Sequence, residues 1–548
     1  MKNLKYISIF LVVLLMITSC SSDINIEEGS ELAEEKVIEQ VPADGGTLVL
    51  STTRFKTLNP IFNRNEDLFQ IHHLIYEGLV TFQEDMSIKP LLAEKWEFVN
   101  DEKSIDFTIR DGVYWHDGEK LTSDDVIFTF NAIKGNIKGI SSTSIYKQSL
   151  QYVTNIVKID EKNIRVNFSK NIANGLEMMT FPILPSHIFE GNNAQLLDQE
   201  DFIIVGTGPY KLSEYENMRN ISLVRNDNYW GEEPYIEGIS VLVVPDEEAQ
   251  MSLFENGDID FVYPKVVVWG KYVDEKTTKS YEFVTSNYEF VGINFRASIL
   301  QDVNIRRAIG YSIDREKISS NIYLGHGTVS DFPVMPNSWL YDDSKIRLGY
   351  NPSLAEQLLE QAGYTIKQDK EFRTNEKGEV LKLKLITNAN NSLREQTAIF
   401  IQEDLKKLGI QVDVKFLEWE EYEKQINSKD YDLVLGGWEL SDIPDITDLL
   451  HSSKVGSTNF IAYSNENVDL LLDSYLETSD LTVKEENFGE LEELFVTELP
   501  YISLFFRNGA VLVKNKIKGD MKPQSYNVFS NIEEWYIKYE NINNNDAS

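Results

Sequence analysis

Only one cysteine, Cys20, occurs in 548 residues. A lone thiol forms no internal disulfide, and once it is modified nothing remains for thiol catalysis. Histidine is scarce too, at six residues, and only His72 and His73 are adjacent. Neighbouring histidines on a helix point to different faces, so this pair reads as structural rather than as a metal site. The chain contains no His-Glu-x-x-His and no Gly-x-Ser-x-Gly, which removes the best-marked zinc and serine hydrolase sites. Gly206-Thr207-Gly208 begins like a dinucleotide fingerprint, but Pro209-Tyr210-Lys211 brings neither a third glycine nor a helix start. Cations are in deficit, with 52 Lys and Arg against 88 Asp and Glu, a net charge of -36. Such a field repels nucleic acid and anionic lipid, so neither is expected as a partner. Beyond the first twenty residues no apolar run approaches the roughly 20 residues of a membrane helix.

Lys2 and Lys5 precede an apolar run, Ile7 to Ile17, broken only by Ser8. It is too short for a permanent span and is expected to be an export signal, residues 1–19. Ile17-Thr18-Ser19-Cys20 resembles a bacterial lipobox, which implies cleavage before Cys20 and a lipid anchor on that residue. The expected location is the extracytoplasmic face of the cell membrane, a Gram-positive surface rather than a periplasm. Residues 20–44 are acidic and lack aromatics, the composition of a tether. Leu32 to Ile38 carries a weak helical periodicity. Folded structure is expected from Gly45-Gly46, with Thr47 to Leu50 as its first strand.

Ile105, Phe107 and Ile109 alternate with polar residues and predict a strand turning at Asp111-Gly112. Thr122, with Asp125 three residues on, predicts a capped helix. Ile164, Val166 and Phe168 alternate again. Further on, Ile239–Val244, Glu247–Glu255 and Ile259–Val262 read as a β-α-β unit with parallel strands. A longer example follows. Leu381 to Leu385 and Ile410 to Phe416 alternate around a helix ending at Gly409. A second helix starts near Glu420 and leads to the strand Tyr431–Leu435. Two separate α/β regions imply two lobes, and ligands bind between lobes. The 26 Tyr, 28 Phe and 8 Trp suit a protein that buries a ligand, although large cores need aromatics as well.

Several segments in order resemble the family 5 extracellular solute-binding proteins of ABC importers, the oligopeptide- and dipeptide-binding lipoproteins. They are Ile75-Tyr76-Glu77-Gly78-Leu79-Val80, Pro90 to Trp96, Arg110 to Val126, Pro182 to His187 and Gly206 to Tyr210. Asn228-Tyr229-Trp230-Gly231, Arg306-Arg307-Ala308-Ile309, Asp314-Arg315 and Gly436-Gly437-Trp438 follow in register. The resemblance covers the body from about Gly46 to the C-terminal region. It implies an α/β, periplasmic-binding-protein-like clamp of type II, cluster C. Such a clamp has two lobes, an extra α+β subdomain and a ligand cleft between the lobes. Lobe one is expected from residues 45–75, 190–265 and 490–540, the subdomain from 76–189 and lobe two from 266–489. The signature stretch is expected to be structural, Trp115 and Asp117 included.

The resemblance also implies a function: capture of peptides and delivery to the permease and ATPase subunits of an ABC transporter, without catalysis or cofactor, by a monomer. Peptides in such clefts pair their backbone with protein strands. Trp438 occupies the family's cleft tryptophan position and Trp419 a second one upstream. Gly436 and Gly437 are expected to leave backbone open to a ligand strand. Relatives place a carboxylate for the peptide's ammonium three residues after the cleft tryptophan or slightly later. Here Ser441 stands at the first place, followed by Asp442-Ile443-Pro444-Asp445, so Asp442 and Asp445 are the candidates. Asn59 is a weaker candidate on lobe one and could equally be a turn residue. The shifted acidic pattern keeps other ligands open: a metal chelate, haem, an oligosaccharide or a signalling peptide. From a different class, an extracellular hydrolase needs a marked nucleophile, metal site or carboxylate pair, and none is marked.

Overall fold

The computed structural model describes residues 42–538, except 173, 200, 201, 343 and 345–347. Cys20, the expected export signal and the weak helical periodicity at Leu32–Ile38 lie outside the described residues.

The first strand forms where the sequence places it. Thr47–Thr53 pairs parallel with Gly238–Val244, which continues antiparallel into Asn220–Arg225 and then Tyr210–Glu216. Between the first two strands of that sheet the chain makes the subdomain. Its four-stranded antiparallel sheet runs in the order Ala93–Val99, Ser104–Ile109, Asn163–Phe168, Val153–Lys158. The helix Ser123–Lys134 covers it. Asp125 caps this helix by accepting from the Thr122 amide at 2.8 Å, as the sequence spacing predicts. Its other oxygen takes the amide and hydroxyl of Ser186 at 2.7 and 2.8 Å. One buried carboxylate therefore serves the amino-terminal ends of two helices, Ser123–Lys134 and Ser186–Phe189.

The β-α-β reading at 239–262 needs correction. The helix Glu247–Asn256 forms, but the last strand is only Phe261–Val262 and pairs antiparallel with Val513 and Leu512 in another sheet. Asp260 explains the diversion. Its amide donates to the Val49 carbonyl at 2.8 Å, while its carboxylate accepts from the Val49 amide at 3.1 Å. The chain is bonded to the first strand through one residue and then leaves that sheet.

Lobe two follows the period-2 and period-3.6 patterns closely. Lys382–Asn388 pairs parallel with Gln411–Leu417 along its length and with Leu433–Glu439 at Leu385 and Ile386. The helices Ser392–Lys407 and Trp419–Ser428 form the two crossovers. Two long strands tie this sheet to lobe one: an outgoing strand, Thr278–Ile293, and a return strand, Tyr501–Lys514, paired antiparallel. Along the outgoing strand, Val291 and Ile293 enter one core cluster while Tyr288 and Phe290 enter another. The sheet of lobe two is therefore packed on both faces. At the other end Val511 and Val513 belong to the core shared by lobe one and the subdomain.

Core membership changes within the two strands. The buried members of the two clusters on the far side of this change run from Tyr288 to Phe506, joined by Phe82 and Met86. At the change, Val284 pairs with Asn508 and Tyr288 with Phe506, so Thr285, Ser286 and Asn287 stand opposite Arg507 alone. This is a wide bulge, which bends a strand and frees the extra residues from the ladder. The bodies also touch elsewhere. The hairpin Val80–Phe82 with Ile88–Pro90 seats Met86 among the residues of the second lobe's core, and the Trp339 amide donates to the Asp85 carbonyl at 2.9 Å.

Candidate ligand cleft

Two polar interruptions in apolar strands build the floor of a cleft. The outgoing strand reads Phe283-Val284, then Thr285-Ser286-Asn287, then Tyr288. The return strand reads Phe505-Phe506, then Arg507-Asn508-Gly509, then Ala510. Because the strands are paired, the interruptions meet at the bulge. There they line a cavity of about 720 Å³, within the 300–1,000 Å³ usual for ligand pockets. Lobe one contributes Asn63 to Gln70 and Tyr263 to Val267, and lobe two contributes Glu439 and Asp442.

Beneath the floor lies an ionic cluster. Glu289 is buried and accepts from Arg394 Nε at 2.9 Å and Nη2 at 3.0 Å. Arg507 Nε stands 3.4 Å from the same carboxylate without hydrogen-bond geometry. Its Nη2 donates to Asn287 Oδ1 at 2.7 Å. Gly437 lies against this cluster, and a Cβ there would strike the Arg394 guanidinium and a Glu289 oxygen. The glycine makes room for a buried ion pair whose charge depends on close, satisfied geometry.

The predicted residues divide. Asp442 lines the cleft, half-buried, and no hydrogen-bond donor or cation pairs with it among the described residues. Burial pushes its carboxyl up to about 6, and the neighbouring Glu439 adds to the effect. Asp445 is exposed, and its side chain accepts from the Thr447 amide at 2.9 Å, ending a turn. Asn59 is fully buried inside lobe one. Its amide nitrogen donates to the Leu197 carbonyl at 2.8 Å and its oxygen accepts from the Ile61 amide at 3.0 Å. It acts as the turn residue its context allowed and does not reach the cleft.

Trp438 packs on the core of lobe two, 5.9 Å from Phe460 between ring centres, with its buried Nε1 unpartnered. Trp419 sits at the first turn of its helix, 58% exposed, with its ring 5.7 Å from Tyr422. Neither tryptophan lines the cavity. Gly436 and Gly437 pair with Phe290 and Glu289 of the outgoing strand. Pairing on their other side stops at Val434, so residues 435–439 keep one strand edge with no strand partner among the described residues. Sequence reasoning missed Glu289, Arg394 and Arg507. The matched pair of polar interruptions could have found Arg507; Glu289 and Arg394 lie outside it.

The signature segments converge elsewhere, around Glu77. Its carboxylate accepts from Thr207 Oγ1 at 2.8 Å, Tyr229 Oη at 2.9 Å and Trp230 Nε1 at 3.0 Å. Burial nevertheless pushes it up to about 7. Gly206 and Gly208 let that loop lie against the backbone of Leu74 and Ile75, where a Cβ would clash. Trp115 is buried, and Asp117 pairs with His187 at 2.8 Å. Next to this joint, His72 and His73 face a smaller cavity of about 170 Å³. Burial lowers them to about 3 and about 4, which keeps both neutral. Among the described residues no group of three or more His, Cys, Asp or Glu could hold a metal ion.

Two α/β lobes, two crossover strands and a polar cleft floored by the crossing define a bilobal clamp of the type II periplasmic-binding-protein kind. Residues 87–459 match the bacterial extracellular solute-binding proteins, family 5 Middle, and the chain belongs to that family. The chain is 27% identical to the oligopeptide-binding protein AppA of Bacillus subtilis, over 97% of its own length and 98% of that protein's. It is 26% identical to the heme-binding protein A of Haemophilus influenzae, covering 83% of this chain and 86% of that one. The structure of Bacillus subtilis AppA in complex with a nonapeptide superposes with a TM-score of 0.62 at 26% identity, over 91% of this chain and 100% of that one.

Proposed function

We propose that this extracellular solute-binding protein captures peptides in the cleft and delivers them to an ABC permease, held at the membrane by lipid on Cys20. The observation that carries the peptide reading is Asp442, a carboxylate in the cleft wall without a partner of its own. A half-buried anion without a partner is costly until a cation arrives, and a peptide's ammonium supplies that charge. The edge of residues 436–439, which has no strand partner among the described residues, offers main-chain groups for strand addition, which reads backbone and tolerates sequence. The relative crystallised with a nonapeptide supports the same reading. Closure about the bulged crossover then presents both lobes to the permease, a population shift driven by tighter binding to the closed state. The protein performs no chemistry, in keeping with relatives named for binding.

A haem or metal chelate is the rival ligand, raised by the heme-binding relative. Among the described residues no histidine, cysteine or methionine lines the cleft, which favours peptide over metal ligation. Native mass spectrometry of the purified protein, before and after unfolding and refolding, separates the readings. Released masses that fragment as peptides support the proposal and give ligand length. A single non-peptide mass overturns it. A ligand-free protein that retains nothing from a mixed peptide library overturns it as well.

A further inference from the structure

We propose that Arg507 is a specificity-determining residue that anchors a carboxylate of the bound ligand, in particular the C-terminal carboxylate of a peptide. The inference rests on the peptide reading of the cleft. Its grounds are the unspent donors of this side chain. A guanidinium carries five N–H groups in a planar fork that matches a carboxylate. Among the described residues Arg507 uses one of them in a hydrogen bond, from Nη2 to Asn287 Oδ1. Its Nε approaches Glu289 at 3.4 Å but is not aligned to bond, because both Glu289 oxygens are held by Arg394. One buried carboxylate thus faces two guanidiniums, and the second is left with charge to place. Arg507 is about one-third exposed, at 36%, on the cleft floor.

The surroundings sharpen the assignment. Glu439 borders the same space, yet no carboxylate other than Glu289 lies within 4.0 Å of Arg507 among the described residues. On the facing wall Lys265 is already spent, at 3.0 Å from Glu66 and 3.8 Å above the Tyr263 ring. Arg64, by contrast, is exposed at the cleft and has no ion pair among the described residues. Two guanidiniums with donors to spare, Arg507 on the crossover floor and Arg64 on lobe one, thus border the same space. The partner of Arg507 on the bulge, Asn287, belongs to the crossover, so occupancy of the guanidinium is felt where the lobes join.

The test uses a mixed tri- to hexapeptide library free of Asp and Glu, as free acids and as C-terminal amides. A third set carries one Glu in an amidated peptide. Competition is read by native mass spectrometry, and affinities of retained peptides by calorimetry, for wild type, Arg507→Met and Arg507→Lys. Wild type is expected to prefer acids over amides by at least about tenfold. Arg507→Met is expected to lose that preference by weakening acids alone, and Arg507→Lys to restore part of it, with thermal melts confirming folded protein. Rescue by the Glu-bearing amides would assign Arg507 to side-chain carboxylates and overturn the terminal assignment. Equal binding of acids and amides by wild type, or equal weakening of both in Arg507→Met, overturns the anchor while leaving peptide binding intact. A wild type that retains neither set removes the peptide reading and this inference with it.

Discussion

Glu77 and Asp442 are two carboxylates under similar pressure and in opposite situations. Burial raises both, to about 7 and about 6. Glu77 is met by a hydroxyl, a phenol and an indole from two separate loops, whereas Asp442 has no hydrogen-bond donor or cation among the described residues and feels the like charge of Glu439. The first arrangement is complete, since every donor it needs is encoded in the chain. The second lacks a cation. A buried polar group with all its partners is architecture; one without partners costs free energy, and a bound ligand can recover that cost. The strongest sequence motifs gather at the complete site and the ligand-dependent features at the incomplete one.

The largest expected effect that tests this contrast is Glu77→Ala. It strands three donors in the joint between lobe one and the subdomain and should cost about 2–5 kcal/mol of stability, read by denaturant titration. Peptide affinity of the molecules that remain folded should not change. Asp442→Asn is the mirror case. Its melting temperature at neutral pH should equal or exceed wild type, because an unpaired charge is removed, while peptide affinity falls by about 2–5 kcal/mol, read by calorimetry. A large loss of stability in this variant would make Asp442 architectural too and collapse the comparison.

Acid gives a smaller and graded version. With Asp442 titrating near 6, affinity for a peptide ammonium should fall about tenfold between pH 7 and pH 5. The stability sign is opposite. Folded-state pKa values raised above the unfolded range of about 4 mean that the native protein holds more protons than the unfolded chain. The contribution of Asp442 to apo stability therefore falls as pH rises from about 4 to 6, and that of Glu77 from about 4 to 7. An apo melting temperature that rises through this window in the wild type, but not in Asp442→Asn, would contradict the assignment. Smallest of all is Trp419→Ala. This exposed side chain should change stability by less than about 0.5 kcal/mol and leave peptide binding unaltered, and a loss of affinity would return Trp419 to the ligand path.

Regular periodicity made lobe two legible: strands at 382–388 and 411–417 with the helix 392–407 between them obey local rules and pair in parallel as those rules require. The motif order pointed to the family for the same reason, since the segments around Glu77 have to meet one another. Three parts were hidden. The strand at Phe261–Val262 is diverted by a single side chain, Asp260, whose bonds to Val49 no periodicity reports. Asn59 looks alike in sequence whether it holds a turn or a ligand, and only its bonds to Ile61 and Leu197 decide. The glycines before Trp438 suggest an open backbone, yet Gly437 makes room for Arg394, a residue 43 positions earlier in sequence.

The two crossover strands also set an order of assembly. Residues 288–506 are contiguous and supply every buried member of their two core clusters except Phe82 and Met86. Lobe one is stitched from both ends of the chain: Thr47–Thr53 beside Gly238–Val244, Thr278 opposite Lys514, Ile517 opposite Ile537, and a fully buried Trp535 in its core. A chain threaded through a pore from its amino end cannot finish lobe one until its last segment emerges. Loop-closure entropy makes such long-range pairing slow even then. Completion of lobe one thus waits for the segment from Tyr501 to Ile537, however early its first strand is made.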